Sequence, residues 1–490
     1  MRTLPARRSW IDWLPLGAPP LLAIVFVLAI YVDTPVSLPQ TYRALLVGGG
    51  AVLLIQLALS LLLRSAGLGA LAAAGVVLMV ASIDWLVILG LVGGACAWEW
   101  IRLRRERSGR SMRPLSVAAP PAVLALTFAY LGSVLITGTG AAAFGLPTIR
   151  QPRITEAVDP QGGPGIYVLM LDAYARADTL AGLGFDNREF LTSLEELDFQ
   201  VAHDSRSNYT RTGLTLASMF NMAYLEDIPH LASPPEGYNQ QHRYISGALH
   251  AGNRVLDILD AAGYETFYIP SRIAQYAVEP VDHMLAGAEL DNFELHLLSR
   301  TRLAPFVSAE WLYGQQRDRT LQSFAQVASI AGEASDYPRF VFAHLMTPHP
   351  PFVFAADGTL PAVPSCFPAT CSIFEPPTDP NLAVERYIDQ VQYTNQLVLA
   401  TVRSIMDDEP NAVVVLMSDH GSRLTFGDLL ESSRNFMAVH ATGVHMPDDL
   451  TPVALFPYLL NGYLDSHLDL PPARSLASLE RTPWPMQEVP

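Results

Sequence analysis

Lysine is absent from the 490 residues, so every permanently charged basic side chain is an arginine. Basic residues are also outnumbered, 31 Lys+Arg against 47 Asp+Glu, and the formal net charge is −16. Such a surface repels phosphate backbones instead of neutralising them, which excludes nucleic acid as the expected partner. Cysteine is scarce, with three residues in all. Cys96 lies in an apolar stretch and reads as a small buried residue, whereas Cys366 and Cys371 share the loop Pro-Ser-Cys-Phe-Pro-Ala-Thr-Cys. A bond between those two suits an oxidising compartment, and two free loop thiols are the plain alternative.

Charge of either sign is thinnest in the first 140 residues, which are dominated by Leu, Ala, Val, Ile and Gly. A helix needs about 20 apolar residues to cross the hydrocarbon core. Runs at 14–32, 44–63 and 115–138 meet that length, and the longer block 67–101, interrupted by Asp84 and Trp85, divides into spans at 67–83 and 85–101. Arg2, Arg7 and Arg8 precede the first span, Arg64 follows the second, and six arginines crowd 102–113. With an inside N-terminus, five crossings put every cluster in the cytoplasm and export the remainder of the chain. The expected organisation is a helical membrane anchor at 1–140, a Gly/Ala/Pro linker at 141–164, an α/β domain at 165–464 and an irregular tail at 465–490. The expected location is the cell (inner) membrane, multi-pass, with the α/β domain outside. Few ionisable residues occupy the spans, which argues against a transporter.

Beyond the linker, Gly165-Ile-Tyr-Val-Leu-Met-Leu171 is a continuous apolar run ending in Asp172. Asn411-Ala-Val-Val-Val-Leu-Met417 repeats the pattern ahead of Ser418-Asp419-His420-Gly421, and Arg339-Phe-Val-Phe-Ala343 leads into His344 and the Thr347-Pro-His349-Pro-Pro loop. Runs of this kind are buried parallel strands, and the helical patterns at 187–198, 253–262 and 384–407 would cover the sheet. Ligands of such sheets collect at the carboxyl ends of the strands, where Asp172, His344, His349, Asp419 and His420 would converge. Taken singly each is ordinary: an Asp after a strand caps or turns, His349 packs among prolines, and Gly421 supplies a positive φ. Taken together they are hard and borderline metal ligands in one place.

With the segment Ser205-Arg-Ser-Asn-Tyr-Thr-Arg-Thr-Gly-Leu-Thr-Leu-Ala-Ser218, these motifs resemble the sulfatase-like hydrolases/transferases of the alkaline phosphatase superfamily. The helical anchor is similar to that of lipoteichoic acid synthases and phosphoethanolamine transferases. The resemblance implies an alkaline-phosphatase-like α/β fold with a mostly parallel sheet and a metal-activated nucleophile. Sulfatases of the superfamily use a modified cysteine, and no cysteine occurs between 97 and 365. Phosphotransferases use Thr or Ser. Thr212 is the first choice, because Thr215 mirrors the serine of the sulfatase pattern, and Thr210 is second. The plain alternative is that these hydroxyls cap a helix starting near 213.

The resemblance further implies one divalent ion, Mn2+ or Zn2+, held by Asp172, Asp419, His420 and the Thr212 oxygen. His349, and after it His344, would protonate a leaving alkoxide or bind phosphate, with Asn208 and Arg211 as further phosphate ligands. Arg423, Glu431 and Arg434 follow the Asp-His-Gly motif without an assigned role. The leading functional expectation is transfer of a phospholipid-derived head group, through a covalent Thr intermediate, from a membrane donor to a glycan, lipid or other alcohol acceptor. The alternatives are a phosphate or sulfate ester hydrolase and a non-catalytic membrane sensor or scaffold.

Overall fold

The computed structural model describes residues 17–36, 38–81, 101, 104–105, 128, 163–228, 235–250, 253–362, 379–422, 424, 428–478 and 483–489. The chain divides into two compact units. One comprises Met1–Gly145 with Phe293–Phe306, and the other comprises Leu146–Asn292 with Val307–Pro490.

In the first unit the apolar runs form the helices Ala18–Val32, Tyr42–Leu62 and Ala66–Val80. The helical stretch Pro39–Leu62, with a mean hydropathy of 2.3, is long and apolar enough to cross a membrane, and the other two are shorter apolar helices. A short turn closes on Ser65, whose side chain accepts a hydrogen bond from the N–H of Leu68 and caps the third helix. Gly69 lets that helix approach its predecessor, since a Cβ there would lie 2.6 Å from Ser60 Cα. The spans expected at 85–101 and 115–138 fall almost wholly outside the described residues, as do Cys96, Cys366, Cys371 and Arg423.

The second unit is built on a seven-stranded sheet. In chain order its strands are β1 (Ile166–Leu171), β2 (Gln200–Val201), β3 (Glu265–Ile269), β4 (His283–Met284), β5 (Arg339–Leu345), β6 (Val413–Met417) and β7 (Met437–His440). Their spatial order is β2-β7-β6-β1-β5-β3-β4. The strands from β4 to β6 run parallel, and β7 is antiparallel to both β6 and β2. Mostly parallel sheets bury both faces, and β1 does so by alternation. Ile166, Val168 and Met170 enter one apolar core, while Tyr167, Leu169 and Leu171 enter the other. The first core is completed by residues of the helices Thr212–Asn221, Arg254–Ala261 and Pro452–Tyr463, and the second by Ala309–Gly332 and Pro380–Asp408.

Two sequence expectations need correction. His344 lies within β5 and not beyond it, because the strand runs on to Leu345. The segment 465–490 is not irregular throughout: it forms an antiparallel pair, β8 (Leu476–Ser478) with β9 (Met486–Glu488). Neither short strand has the length or alternation by which a sequence reveals one.

Candidate active site

Strand β1 sits between β5 and β6, and the register aligns Met170 with His344 on one side and with Met417 on the other. Asp172, His344, Asp419 and His420 therefore meet at the carboxyl ends of three adjacent strands, although about 250 residues separate the first from the last. All four are 0–1% exposed. His344 Nε2 lies 3.0 Å from Asp172 Oδ2. His420 Nε2 lies 3.3 Å from Asp419 Oδ2 and 3.9 Å from Asp172 Oδ1.

The turn after β1 holds the two carboxylates in this arrangement. Ala173 takes a left-handed φ of 62°, a conformation a non-glycine residue adopts only where its surroundings impose it, and its N–H donates to Asp419 Oδ1 at 3.1 Å. Tyr387, on the helix Pro380–Asp408, clamps the same turn by donating to the Ala173 carbonyl and accepting from the Ala175 N–H. One turn further along that helix, Gln390 donates to the His349 carbonyl at 3.1 Å. The His349 N–H in turn donates to the Asp172 carbonyl at 3.0 Å. His349 is partly exposed, unlike the four buried residues, so its ring is available to a ligand.

Thr212 is the first residue of the helix Thr212–Asn221. Its side chain is near enough to Asp419 to favour the ionised carboxylate. Thr215 serves as a brace: its hydroxyl donates to the carbonyls of Tyr209 and Asp419, both at 3.0 Å. Ser207 also donates to the Asp419 carbonyl, at 2.5 Å. Asn208 is buried, and one of its amide N–H groups donates to Ser218 Oγ of the helix. Arg211 immediately precedes Thr212, and its charge is felt by buried His242. Thr210 is tied through its N–H to Leu476 of the C-terminal segment. That segment was not anticipated at the site. Ser475 Oγ donates to the Ser207 carbonyl, the Leu476 N–H donates to the Asn208 carbonyl, and Tyr224 anchors the approach through the carbonyls of Pro472 and Arg474.

Gly421 is required for a reason other than the expected one. It does not have a positive φ, and a Cβ on it would lie 2.4 Å from the Glu431 carbonyl oxygen and 2.6 Å from that of Arg434. Close approach of the backbone, not a left-handed turn, excludes a side chain. Glu431 and Arg434 contribute these backbone oxygens, while the Arg434 guanidinium pairs with Asp178 at 3.4 Å.

The electrostatics point to a bound cation. Burial pushes the Asp419 carboxyl up to about 6, and the negative charge of Asp172 adds to the shift. Burial also acts to raise Asp172, but the nearby His349, His344 and His420 outweigh it and hold that carboxyl below the usual range. Among the described residues, Asp172 Oδ1 and Asp419 Oδ2 are both buried without a hydrogen-bond partner. Such atoms cost about 1–3 kcal/mol each unless something else satisfies them. Ligand atoms of Asp172, Asp419 and His420 lie within 4.8 Å of one another. His420 Nδ1 is 2.8 Å from the Gly421 carbonyl, an acceptor, which places the proton on Nδ1 and makes Nε2 the nitrogen that would ligate a metal. Two carboxylates and one imidazole suit a divalent ion such as Mn2+ or Zn2+.

The sulfatase family model matches residues 187–447, more than half of the chain. No curated protein matches it. Among solved structures the chain is similar to the C-terminal periplasmic domain of EptC from Escherichia coli, with 12% identity and a TM-score of 0.42 over 64% of this chain and 86% of that one. It is similar as well to the periplasmic domain of the phosphoethanolamine transferase EptC from Campylobacter jejuni, with 14% identity and a TM-score of 0.40 over 61% and 89%. The integral membrane lipooligosaccharide phosphoethanolamine transferase A of Neisseria meningitidis gives 16% identity and a TM-score of 0.43 over 81% of this chain and 69% of that one. The extent of the family match establishes that the chain belongs to the sulfatase family, as a sulfatase-like hydrolase/transferase.

Proposed function

We propose that this enzyme is a membrane-anchored, metal-dependent phosphotransferase with Thr212 as its nucleophile. The observation that carries the reading is the proximity of the Thr212 side chain to a buried Asp172–Asp419–His420 cluster in which Asp172 Oδ1 and Asp419 Oδ2 have no hydrogen-bond partner among the described residues. One divalent ion would be held by those three side chains and the Thr212 oxygen. When bound, it would make the hydroxyl more acidic and offset negative charge on a phosphate oxygen.

The chain's own residues supply the rest. The helix Thr212–Asn221 begins at the nucleophile, and its free N–H groups favour a phosphate there. Asn208 and Arg211 flank that phosphate. Thr212 Oγ releases its proton to solvent water and bonds phosphorus as the bond from phosphorus to the diacylglycerol oxygen breaks. His349, partly exposed at the rim, returns a proton to the departing alkoxide. His344, engaged with Asp172, orients that carboxylate. A glycan, lipid or other alcohol then accepts the head group from Thr212.

The anchor supports a lipid donor, since tethering keeps the site at high effective concentration beside the membrane. In this reading five spans hold the chain in the inner membrane and the domain at 165–464 acts outside the cytoplasm. The family match favours one second reading, hydrolysis of a phosphate or sulfate ester, in which water takes the place of the acceptor. A scaffold without catalysis is disfavoured by the intact nucleophile and cluster.

The test is intact mass of the full chain after incubation with Mn2+ and phosphatidylethanolamine or phosphatidylglycerol, with diacylglycerol release followed in parallel. A head-group adduct that vanishes in Thr212→Ala but persists in Thr210→Ala is the expected result. Diacylglycerol released at an undiminished rate by Thr212→Ala would sink the nucleophile assignment.

A further inference from the structure

Residues Phe293–Phe306 lie in sequence between strands of the α/β unit, yet they pack with the apolar helices of the other unit. Phe293 is 1% exposed and joins Val27, Ile30, Tyr31, Val36 and Ala44 in one core. Glu294 accepts from Arg43 Nε at 2.6 Å, and the N–H of Arg302 donates to the Val80 carbonyl at 2.9 Å. These contacts share one end of the helical bundle: the end of Ala18–Val32, the start of Tyr42–Leu62 and the end of Ala66–Val80. Arg64, in the turn between the second and third helices, marks the opposite end. In the five-span reading Arg64 is cytoplasmic and everything beyond the fifth span is exported, so Phe293–Phe306 belongs to the outer side.

Val80 is the last residue of an apolar helix, the level at which hydrocarbon gives way to head groups. Directly after Arg302, with its bond to Val80, the chain presents Leu303 at 47% exposure and Phe306 at 86%, with Pro305 exposed between them. Arg300, also exposed, adds a positive charge beside them. Apolar side chains at this depth with an arginine alongside have the make-up of an interfacial segment, in which the rings and aliphatic groups enter the acyl boundary and the guanidinium stays with phosphate.

We infer that the turn Leu303–Phe306 is a lipid-contacting foot, inserted into the outer leaflet with Arg300 at the phospholipid phosphates. The inference rests on the membrane-anchor reading but not on the identity of the nucleophile. A segment encoded inside the catalytic region thereby touches the phospholipid surface from which a donor would be drawn.

The full chain would be prepared in nanodiscs of phosphatidylethanolamine and phosphatidylglycerol with Phe306→p-benzoylphenylalanine, irradiated, and weighed intact. The expected product is the protein carrying one phospholipid. Incorporation without any lipid adduct, or a crosslink to a second copy in its place, overturns the foot; failure to enter the nanodisc overturns the anchor as well. As a second measurement, the pair Leu303→Asp and Phe306→Asp should raise KM for phospholipid in vesicles about tenfold, with kcat and turnover of a water-soluble phosphodiester unchanged. Equal loss on both substrates would mean that the segment serves folding and not lipid contact.

Discussion

Replacing Gly421 by alanine adds one methyl group at a position where the surrounding atoms have no freedom to yield. The new Cβ would meet the Glu431 carbonyl oxygen at 2.4 Å and the Arg434 carbonyl oxygen at 2.6 Å, where ordinary contact begins near 3.4 Å. Both are backbone atoms, and their segment is tied to the site by two further bonds, from the Gly421 N–H to the Ser432 carbonyl and from the Ser207 N–H to the Ser433 carbonyl. The strand end that carries His420 must therefore shift by most of an ångström. Overpacking of this kind costs about 1–3 kcal/mol of stability, and a displacement near 1 Å at a reacting centre costs on the order of 100-fold in rate. The expected result for Gly421→Ala is a protein that still folds, unfolds a few degrees lower, binds Mn2+ more weakly by about tenfold or more, and turns over about 100-fold more slowly. Thermal unfolding, metal titration by calorimetry and turnover would be measured on one preparation. Gly421→Asn separates the two explanations for the glycine. Asparagine tolerates a left-handed backbone, so recovery in that variant would show that φ is what matters and would refute the close-approach argument.

Tyr224→Phe removes the hydroxyl that bonds the Pro472 and Arg474 carbonyls, and should loosen the C-terminal segment from the loop at 207–210. Amide exchange across 206–212 is expected to rise about tenfold while the control Tyr463→Phe leaves it unchanged; equal protection in both variants would count against the clasp. At pH 7, Asp419→Asn should abolish tight Mn2+ binding yet stabilise the metal-free protein by about 3 kcal/mol, because a carboxyl raised to about 6 is destabilising when ionised. A metal-free variant no more stable than the parent would contradict that. Burial, aided by the charge of Arg211, holds His242 down to about 4. Its contribution is complete above the ordinary histidine range and is lost as pH falls through 4, by about 3 kcal/mol in total. Denaturant unfolding of His242→Phe at pH 7 and pH 4.5 should show a smaller acid loss than the parent, and an identical loss would remove His242 from the account.

Residues whose chemistry is announced by their neighbours could be read without a structure. Asp172 directly follows one apolar run and Asp419 follows another after Ser418, and a strand followed by an acidic side chain is a one-dimensional pattern. The helix expected to start near 213 and the one expected over 384–407 were legible from apolar spacing, and run Thr212–Asn221 and Pro380–Asp408. Tyr387 and Gln390 were missed although a signal existed. With Thr394 and Asn395 they form a polar stripe at helical spacing, all buried, on a helix whose inner face should be apolar. Ser475 and Leu476 had no such signal. Their link to residues 207–208 is made through backbone groups and one hydroxyl across more than 260 residues, and composition does not record such pairing.

By itself the sequence determined the apolar helices at 18–32, 42–62 and 66–80, the continuous apolar runs that become strands buried on both faces, and the family motifs, because each depends on the order of residues along the chain. Tertiary structure alone decided that β1 lies between β5 and β6, that Ala173 bends left-handed to present its N–H to Asp419, and that Gly421 must be bare because two carbonyls crowd it. It also decided that Phe293–Phe306 joins the helical unit. Each of these depends on which distant segments become neighbours, and that is settled by packing, not by local preference.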